Sequence, residues 1–298
     1  MVLRLDRALR LGDLSRDWAW GGAAGAGVRV AVIDSGVEAN HPALEGCVDV
    51  VSGVAVVLDA WGQPRVERGP HDDAYGHGTA CASIVHRLAP QARIVSVRVL
   101  GGAGSTKAVQ FLTALEWAVT QGFEVINLSL GTTAREHALA FHDLCDQAYF
   151  SGSLVVTAAN NVLAPSYPSL YASVLSVASN TARDPFRFHY NPDPPTEFLA
   201  PGVEVDVAWK GGGRTTASGN SYAAPHIAGV AALIKSKHPD LLPFQLKTVL
   251  WATSANVIEA GAGAAPAPAE FAGRVTRTLA GIAAERRTSL FLRRPPPR

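Results

Sequence analysis

The sequence predicts an α/β fold, a three-layer sandwich in which a mostly parallel sheet lies between helices. Three observations carry this reading. Several runs rich in β-branched residues are apolar along nearly their whole length, which a sheet with one face in water does not allow. Segments with apolar residues at i, i+3 and i+4 lie between those runs. The chain has 298 residues, 48% hydrophobic and 17% charged, enough to bury one large core, and its composition does not shift before about residue 257.

Taken in order, the strands are VRVAVID (Val28 to Asp34), ARIVSVRVL (Ala92 to Leu100), EVINLSL (Glu124 to Leu130), LVVTAA (Leu154 to Ala159) and SVLSVAS (Ser173 to Ser179). Helical periods fall between them, through Ala108, Phe111, Leu112, Leu115, Ala118 and Val119, and again through Ala138, Phe141, Cys145 and Ala148. An Ala-rich apolar segment, SGNSYAAPHIAGVAALI (Ser218 to Ile234), reads as a buried helix. In an alternating strand and helix sheet, chemistry collects where strands end and loops begin, so Asp34, Ser129 and Asn161 are the polar residues to examine.

Residues 1–256 read as one domain and 257–298 as an Ala/Pro-rich linker and tail. AGAGAAPA (Ala260 to Ala267) has little to bury, RRPPPR (Arg293 to Arg298) cannot be regular secondary structure, and the segment between is compatible with one amphipathic helix. There is no internal repeat. With 26 basic and 25 acidic residues the net charge is +1, so the overall balance calls for neither nucleic acid nor an anionic membrane as partner. The arginine-rich tail reads as a solvated terminus. Arg4, Asp6, Arg7, Arg10 and Asp13 interrupt the N-terminus where a secretory signal needs an apolar run, and no apolar run is long enough to span a bilayer. A cytoplasmic protein without leader or anchor is the expectation. Three cysteines, Cys47, Cys81 and Cys145, fit that compartment and show no metal-ligand spacing. The oligomeric state stays open.

Three short stretches hold an acid, a base and a nucleophile: AVIDSGV with Asp34, YGHGTACASIV with His77, and SGNSYAAPHIAG with Ser221. A hydroxyl is a poor nucleophile at neutral pH, so Ser221 needs a base to take its proton as it attacks a carbonyl, and a neutral imidazole has the pKa for that. A carboxylate at the end of a buried strand can accept the other ring N–H and fix its tautomer. A serine in the first turn of a buried helix also lies where free N–H groups and the helix dipole favour developing negative charge. Pro225 cannot donate to the carbonyl four residues earlier, that of Ser221 itself, and Gly219 allows close approach of a substrate.

The order Asp, His, Ser in DSG, GHGT and GNSYAAPH resembles the subtilisin-like serine proteases, the subtilases. NLSLG (Asn127 to Gly131), VVTAANN (Val155 to Asn161) and LAPGVEV (Leu199 to Val205) extend the resemblance. It implies a seven-stranded parallel sheet and a peptide bond as the scissile group, in a peptide or protein substrate. It makes Asn161 the side-chain donor of an oxyanion hole, and Ser129, Leu130 and Gly131 the edge that pairs with substrate backbone. Ser129 to Gly131 and Ala158 to Asn160, with Val162 and Ser166, become walls of the S1 pocket, and Gly102 and Gly104 the opposite wall of the cleft. Asn160 stands where the family usually has glycine, so which asparagine faces the oxyanion stays open. Cys81, four positions after His77, is similar to the cysteine found near the catalytic histidine in some subtilases.

The chain also departs from the family pattern. SIVHRLAPQARIV passes almost directly from helix to strand, so the tight calcium loop of many secreted subtilases reads as deleted. No cofactor is expected, apart from a weak cation site of backbone carbonyls around Ser169, Tyr171 and Val174 that the resemblance allows. Too few residues precede Asp34 for a folded propeptide. These features resemble intracellular subtilases, including those that trim modified peptides during maturation. A peptide-binding module that does not cut, or an esterase with the same triad, are the other functions compatible with the motifs. His226 reads as a structural histidine, and His41, His71 and His86 as surface or loop residues.

Overall fold

The computed structural model describes residues 13–162 and 164–260. The expected tail helix therefore lies outside the described residues. The strands are β1 Arg29–Asp34, β2 Val54–Leu58, β3 Pro64–Arg68, β4 Arg93–Arg98, β5 Val125–Leu128, β6 Leu154–Ala158, β7 Leu175–Asn180, β8 His189–Tyr190, β9 Phe198–Pro201, β10 Val205–Trp209 and β11 Gly213–Ala217. The helices are α1 Arg16–Trp20, α2 His77–Leu88, α3 Ala108–Thr120, α4 Ala138–Ser151, α5 Asn220–Lys237, α6 Pro243–Thr253 and α7 Ala255–Glu259.

One nine-stranded sheet has the order β3-β2-β4-β1-β5-β6-β7-β9-β8. From β2 to β9 every pairing is parallel, so the seven-stranded parallel sheet is present. Antiparallel β3 and β8 extend it at the two edges. β10 and β11 form a separate hairpin.

Alternation within the central strands separates two cores. In β1, Val30 and Val32 join the cluster that includes α2 and α5, while Ala31 and Ile33 join the one that includes α3 and α4. β6 divides the same way, with Leu154, Val156 and Ala158 on the first side and Val155 on the second. Successive side chains of a strand point to opposite faces, so a strand apolar at every position must be covered on both.

β1 lies mid-sheet, with Asp34 in register with Arg98 of β4 and Ile33 with Leu128 of β5. α2 packs against α5 on one face. A side chain at Gly78 would meet the Gly36 carbonyl oxygen at 2.0 Å and Asp34 Cβ at 3.1 Å. Only glycine there lets the first turn of α2 close onto the end of β1.

Candidate active site

Asp34 ends β1 with no exposed surface. Its Oδ1 accepts the Ser35 N–H at 2.7 Å, and His77 Nδ1 lies 2.9 Å from Oδ1 and 2.8 Å from Oδ2. A carboxylate only accepts, so the ring proton sits on Nδ1 and the neutral imidazole keeps Nε2 as its acceptor. Burial disfavours the imidazolium, but the Asp34 carboxylate and the neighbouring Cys81 outweigh it and hold the His77 pKa well above its ordinary value.

The loop that delivers His77 is organised by Asp73, a buried residue that the sequence reading passed over. Its Oδ1 accepts the Ser35 hydroxyl at 2.7 Å and the N–H groups of Tyr75 at 2.9 Å and Gly76 at 2.7 Å. Its Oδ2 accepts the Thr79 N–H at 2.9 Å and the Thr79 hydroxyl at 2.6 Å. A carboxylate gathering N–H groups at the start of α2 does the work of an N-cap. The available signal was an aspartate just upstream of the histidine that begins a helix.

Ser221 sits in the first turn of α5. The residue before this helix, Gly219, has φ 154° and ψ 158°, a region open in practice to glycine alone. As one of the first four helical donors, the Ser221 N–H has no partner among the described residues. Pro225 lies inside the helix and offers no N–H to the Ser221 carbonyl. That carbonyl instead accepts from the Ser129 hydroxyl at 2.8 Å, with the Cys81 thiol at 3.6 Å. The Tyr222 ring lies 5.1 Å from the His77 ring, so the first turns of α2 and α5 meet.

Beside Ser221 opens a cleft of about 310 Å³. Its lining includes Ser129, Leu130, Gly131, Ala158, Ala159, Asn160, Asn161 and Ser166, all named from the sequence, together with Thr132 and Thr133, which were not. Among the described residues, no lining side chain is ionisable. Val162 is not among them and is 65% exposed. Gly102 and Gly104 do not line this cleft either. They lie by Ala74 and Tyr75, on the segment leading into His77.

The two asparagines differ in what their side chains do. Asn160 is engaged within its own loop, with Nδ2 donating to the Ala164 carbonyl at 3.1 Å and Oδ1 accepting the Val162 N–H at 3.3 Å. Asn161 Oδ1 accepts the Asn220 N–H at 3.0 Å, which leaves its Nδ2 without a partner among the described residues. Asn220 ties the same region together. Its Nδ2 donates to the carbonyls of Ala159 and Asn160, and its Oδ1 accepts the Ser179 N–H.

Residues 25–275 match the family model described as the subtilase family, peptidase S8. The chain belongs to the subtilase family. It is 34% identical to subtilisin DY of Bacillus licheniformis over 254 residues, which cover 79% of this chain and 86% of that one. With subtilisin E of Bacillus subtilis (strain 168) identity is 32% over 78% of this chain, and the match spans 62% of that longer protein. Among solved structures, a cold-adapted subtilisin-like serine proteinase matches with TM-score 0.63 and 28% identity, covering 79% of this chain and 87% of its own. This subtilase is thus a subtilisin-like serine protease. No helix among its described residues is long and apolar enough to cross a membrane.

Cys81 of the subtilase is fully buried, with Sγ 3.8 Å from His77 Nδ1 and 3.7 Å from Asp34 Oδ2, and burial pushes its thiol pKa up. Donor atoms of Asp34, His77 and Cys81 all lie within 4.8 Å of one another. Two ligands of one tetrahedral zinc ion stand about 3.4 Å apart, given metal–ligand bonds of about 2.1 Å. The 2.8 Å between His77 and Asp34 is therefore the spacing of a shared proton rather than of a metal pair.

The remaining histidines are less peripheral than the sequence suggested. His41 is only 3% exposed, because its Nδ1 accepts the Ala43 N–H and its Nε2 then donates to the Gly213 carbonyl at 2.9 Å. His86 is buried within α2, and His71 is half-buried with Nε2 2.8 Å from the Ser96 hydroxyl. His41 and His71 are loop residues drawn inward by local partners, whereas the buried His86 Nδ1 has no partner among the described residues. His226 is inside α5 as expected, bonded to the Tyr222 carbonyl, and burial lowers its pKa to about 4.

Proposed function

We propose that this subtilase is a serine endopeptidase in which Ser221 is the nucleophile, His77 the general base and then acid, and Asp34 the carboxylate that orients His77. Ser221 Oγ attacks the peptide carbonyl while His77 Nε2 takes its proton. Asp34 holds the ring by Nδ1 and stabilises the imidazolium that forms. The tetrahedral oxyanion is held by the Ser221 N–H and Asn161 Nδ2. Its collapse breaks the C–N bond as His77 returns the proton to the leaving amine. Water then attacks the acyl-enzyme by the same route, releasing the acid and restoring the Ser221 hydroxyl.

One observation carries this reading most: the 2.8 Å contact between His77 Nδ1 and a wholly buried Asp34, which commits the imidazole to the tautomer that a general base requires. The unpartnered Asn161 Nδ2 supports Asn161 over Asn160 as the oxyanion donor. The substrate is a peptide or protein segment lying extended along Ser129, Leu130 and Gly131, with its P1 side chain in the cleft. A cleft without a carboxylate gives a desolvated lysine or arginine no partner, so P1 is uncharged. Asn160 at the rim narrows the choice further, which suits selective processing of a peptide in the cytoplasm better than general digestion. No cofactor takes part.

Incubation with a diverse peptide library, with cut sites read by mass spectrometry, tests the proposal. Cleavage after uncharged residues that is lost in Ser221→Ala supports it. Cleavage mainly after lysine or arginine, or turnover of small esters with no peptide cut, contradicts it.

A further inference from the structure

Lys247 on α6 directs its ammonium into a cage of oxygens. Nζ donates to the carbonyls of Ala172 and Val174, both at 2.7 Å, and to Glu197 Oε1 at 2.9 Å. The three ammonium protons thus have three acceptors. The Lys247 side chain is 16% exposed, and the second Glu197 oxygen is buried with no partner among the described residues. Burial raises the Glu197 pKa, and the Lys247 ammonium offsets only part of that rise. Converging main-chain carbonyls with one carboxylate are the hard-oxygen donor set of an alkali or calcium ion.

The caged carbonyls belong to the segment that runs from the cleft to β7. At its near end Ser166 lines the cleft, and Tyr167 exchanges two backbone hydrogen bonds with Thr132, another lining residue, at 2.9 and 2.8 Å. The Ser169 hydroxyl donates to the Ser166 carbonyl, and the Tyr171 hydroxyl to the Ala138 carbonyl. The far end is held by Lys247, across to Glu197 just before β9.

We propose that Lys247 is a built-in cation: its ammonium does for the 166–174 segment what a bound metal ion would do, and so fixes one wall of the specificity cleft without metal. The weak cation site expected around Ser169, Tyr171 and Val174 does not fit these residues, because the Val174 carbonyl already serves the ammonium. Ser169 and Tyr171 are not among the ammonium's partners, but a metal ion on the Val174 carbonyl would stand within about 5 Å of Nζ and be repelled by it. Only the link to cleavage specificity rests on the function proposed above.

The experiment compares the full chain with Lys247→Ala, which empties the cage, and Lys247→Met, which fills it without charge. Thermal unfolding is followed in EDTA with choline chloride, then with sodium, potassium or calcium chloride at matched ionic strength. The parent Tm should be the same in all four. Both variants should melt lower in choline, by about 5 °C or more, since a partly buried carboxylate loses its partner. Added metal cation should restore Lys247→Ala and leave Lys247→Met unchanged. On a cleaved peptide, Lys247→Ala should raise KM several-fold with kcat little changed, and the rescuing cation should reverse it. A parent Tm that rises with a metal cation, with the rise lost in Lys247→Ala, overturns the proposal. So does a Lys247→Ala protein that no cation restores, including one that fails to fold in every salt. The melting measurements need no catalysis, so an inactive parent with intact cation rescue would refute the proposed function and leave this inference standing.

Discussion

Replacing Ser129 by alanine should destabilise the protein through the active-site helix. Its hydroxyl donates to the Ser221 carbonyl at 2.8 Å and accepts from the buried Asn127 amide at 3.0 Å. The carbonyl has no helical donor because Pro225 stands four residues on, and its other contact is the weak Cys81 thiol at 3.6 Å. Two buried polar groups lose their partner, and with a cost of about 1–3 kcal/mol for each unsatisfied group the total is about 2–6 kcal/mol. If Pro225 causes the dependence, Pro225→Ala restores an N–H that can reach the carbonyl. Ser129→Ala should then cost about 1–2 kcal/mol less in the Pro225→Ala background, and that difference is a coupling energy. Urea unfolding of the four proteins measures it, with Ser221→Ala added to all to prevent self-digestion, since the residue 221 carbonyl remains. Additive costs would refute the argument, as would a Ser129→Ala cost below about 0.5 kcal/mol.

Asn161→Ala should lower kcat by about 10² to 10³ with KM little changed, a range for which a subtilisin is itself the reference case. An equal loss in Asn160→Ala, with Asn161→Ala unaffected, would transfer the role. Since His77 must be neutral to act as base and its pKa is raised, kcat/KM should fall on acidification with a midpoint above pH 6.5, and a pH–rate profile with that midpoint at or below 6.5 would contradict the Asp34 contact. Mercurials should inactivate the enzyme, slowly because Cys81 is buried, and Cys81→Ala should resist them. Peroxide should do little at the site, where Tyr222 follows Ser221 and Met1 is the only methionine. Equal mercurial inhibition of parent and variant would place the effect at another cysteine.

The central strands were legible because they are buried on both faces, which writes an apolar residue at most positions. The edge hairpin was not. β3 reads PRVER and is largely exposed, so its strand character comes from pairing with β2 rather than from any apolar pattern. β8, with two residues, carries too little pattern to read at all. In the site, Asp34, His77, Ser221 and Asn161 announce themselves through short motifs with glycine neighbours. Asp73 does not, because its role consists of five hydrogen bonds, to its own loop, to Thr79 in α2 and to the distant Ser35, that no short motif records. Lys247 was equally silent, since its partners lie 50, 73 and 75 residues away in sequence.

The central claim is that Ser221 is activated by His77 and Asp34. Its most direct measurement is the rate and site of labelling by a fluorophosphonate probe, followed by peptide mass mapping of the parent, His77→Ala and Asp34→Asn proteins. Stoichiometric labelling of the parent at Ser221 alone, with rates falling by orders of magnitude in both variants, is the predicted result. Labelling at another residue, or Ser221 reacting equally fast without His77, would contradict the account.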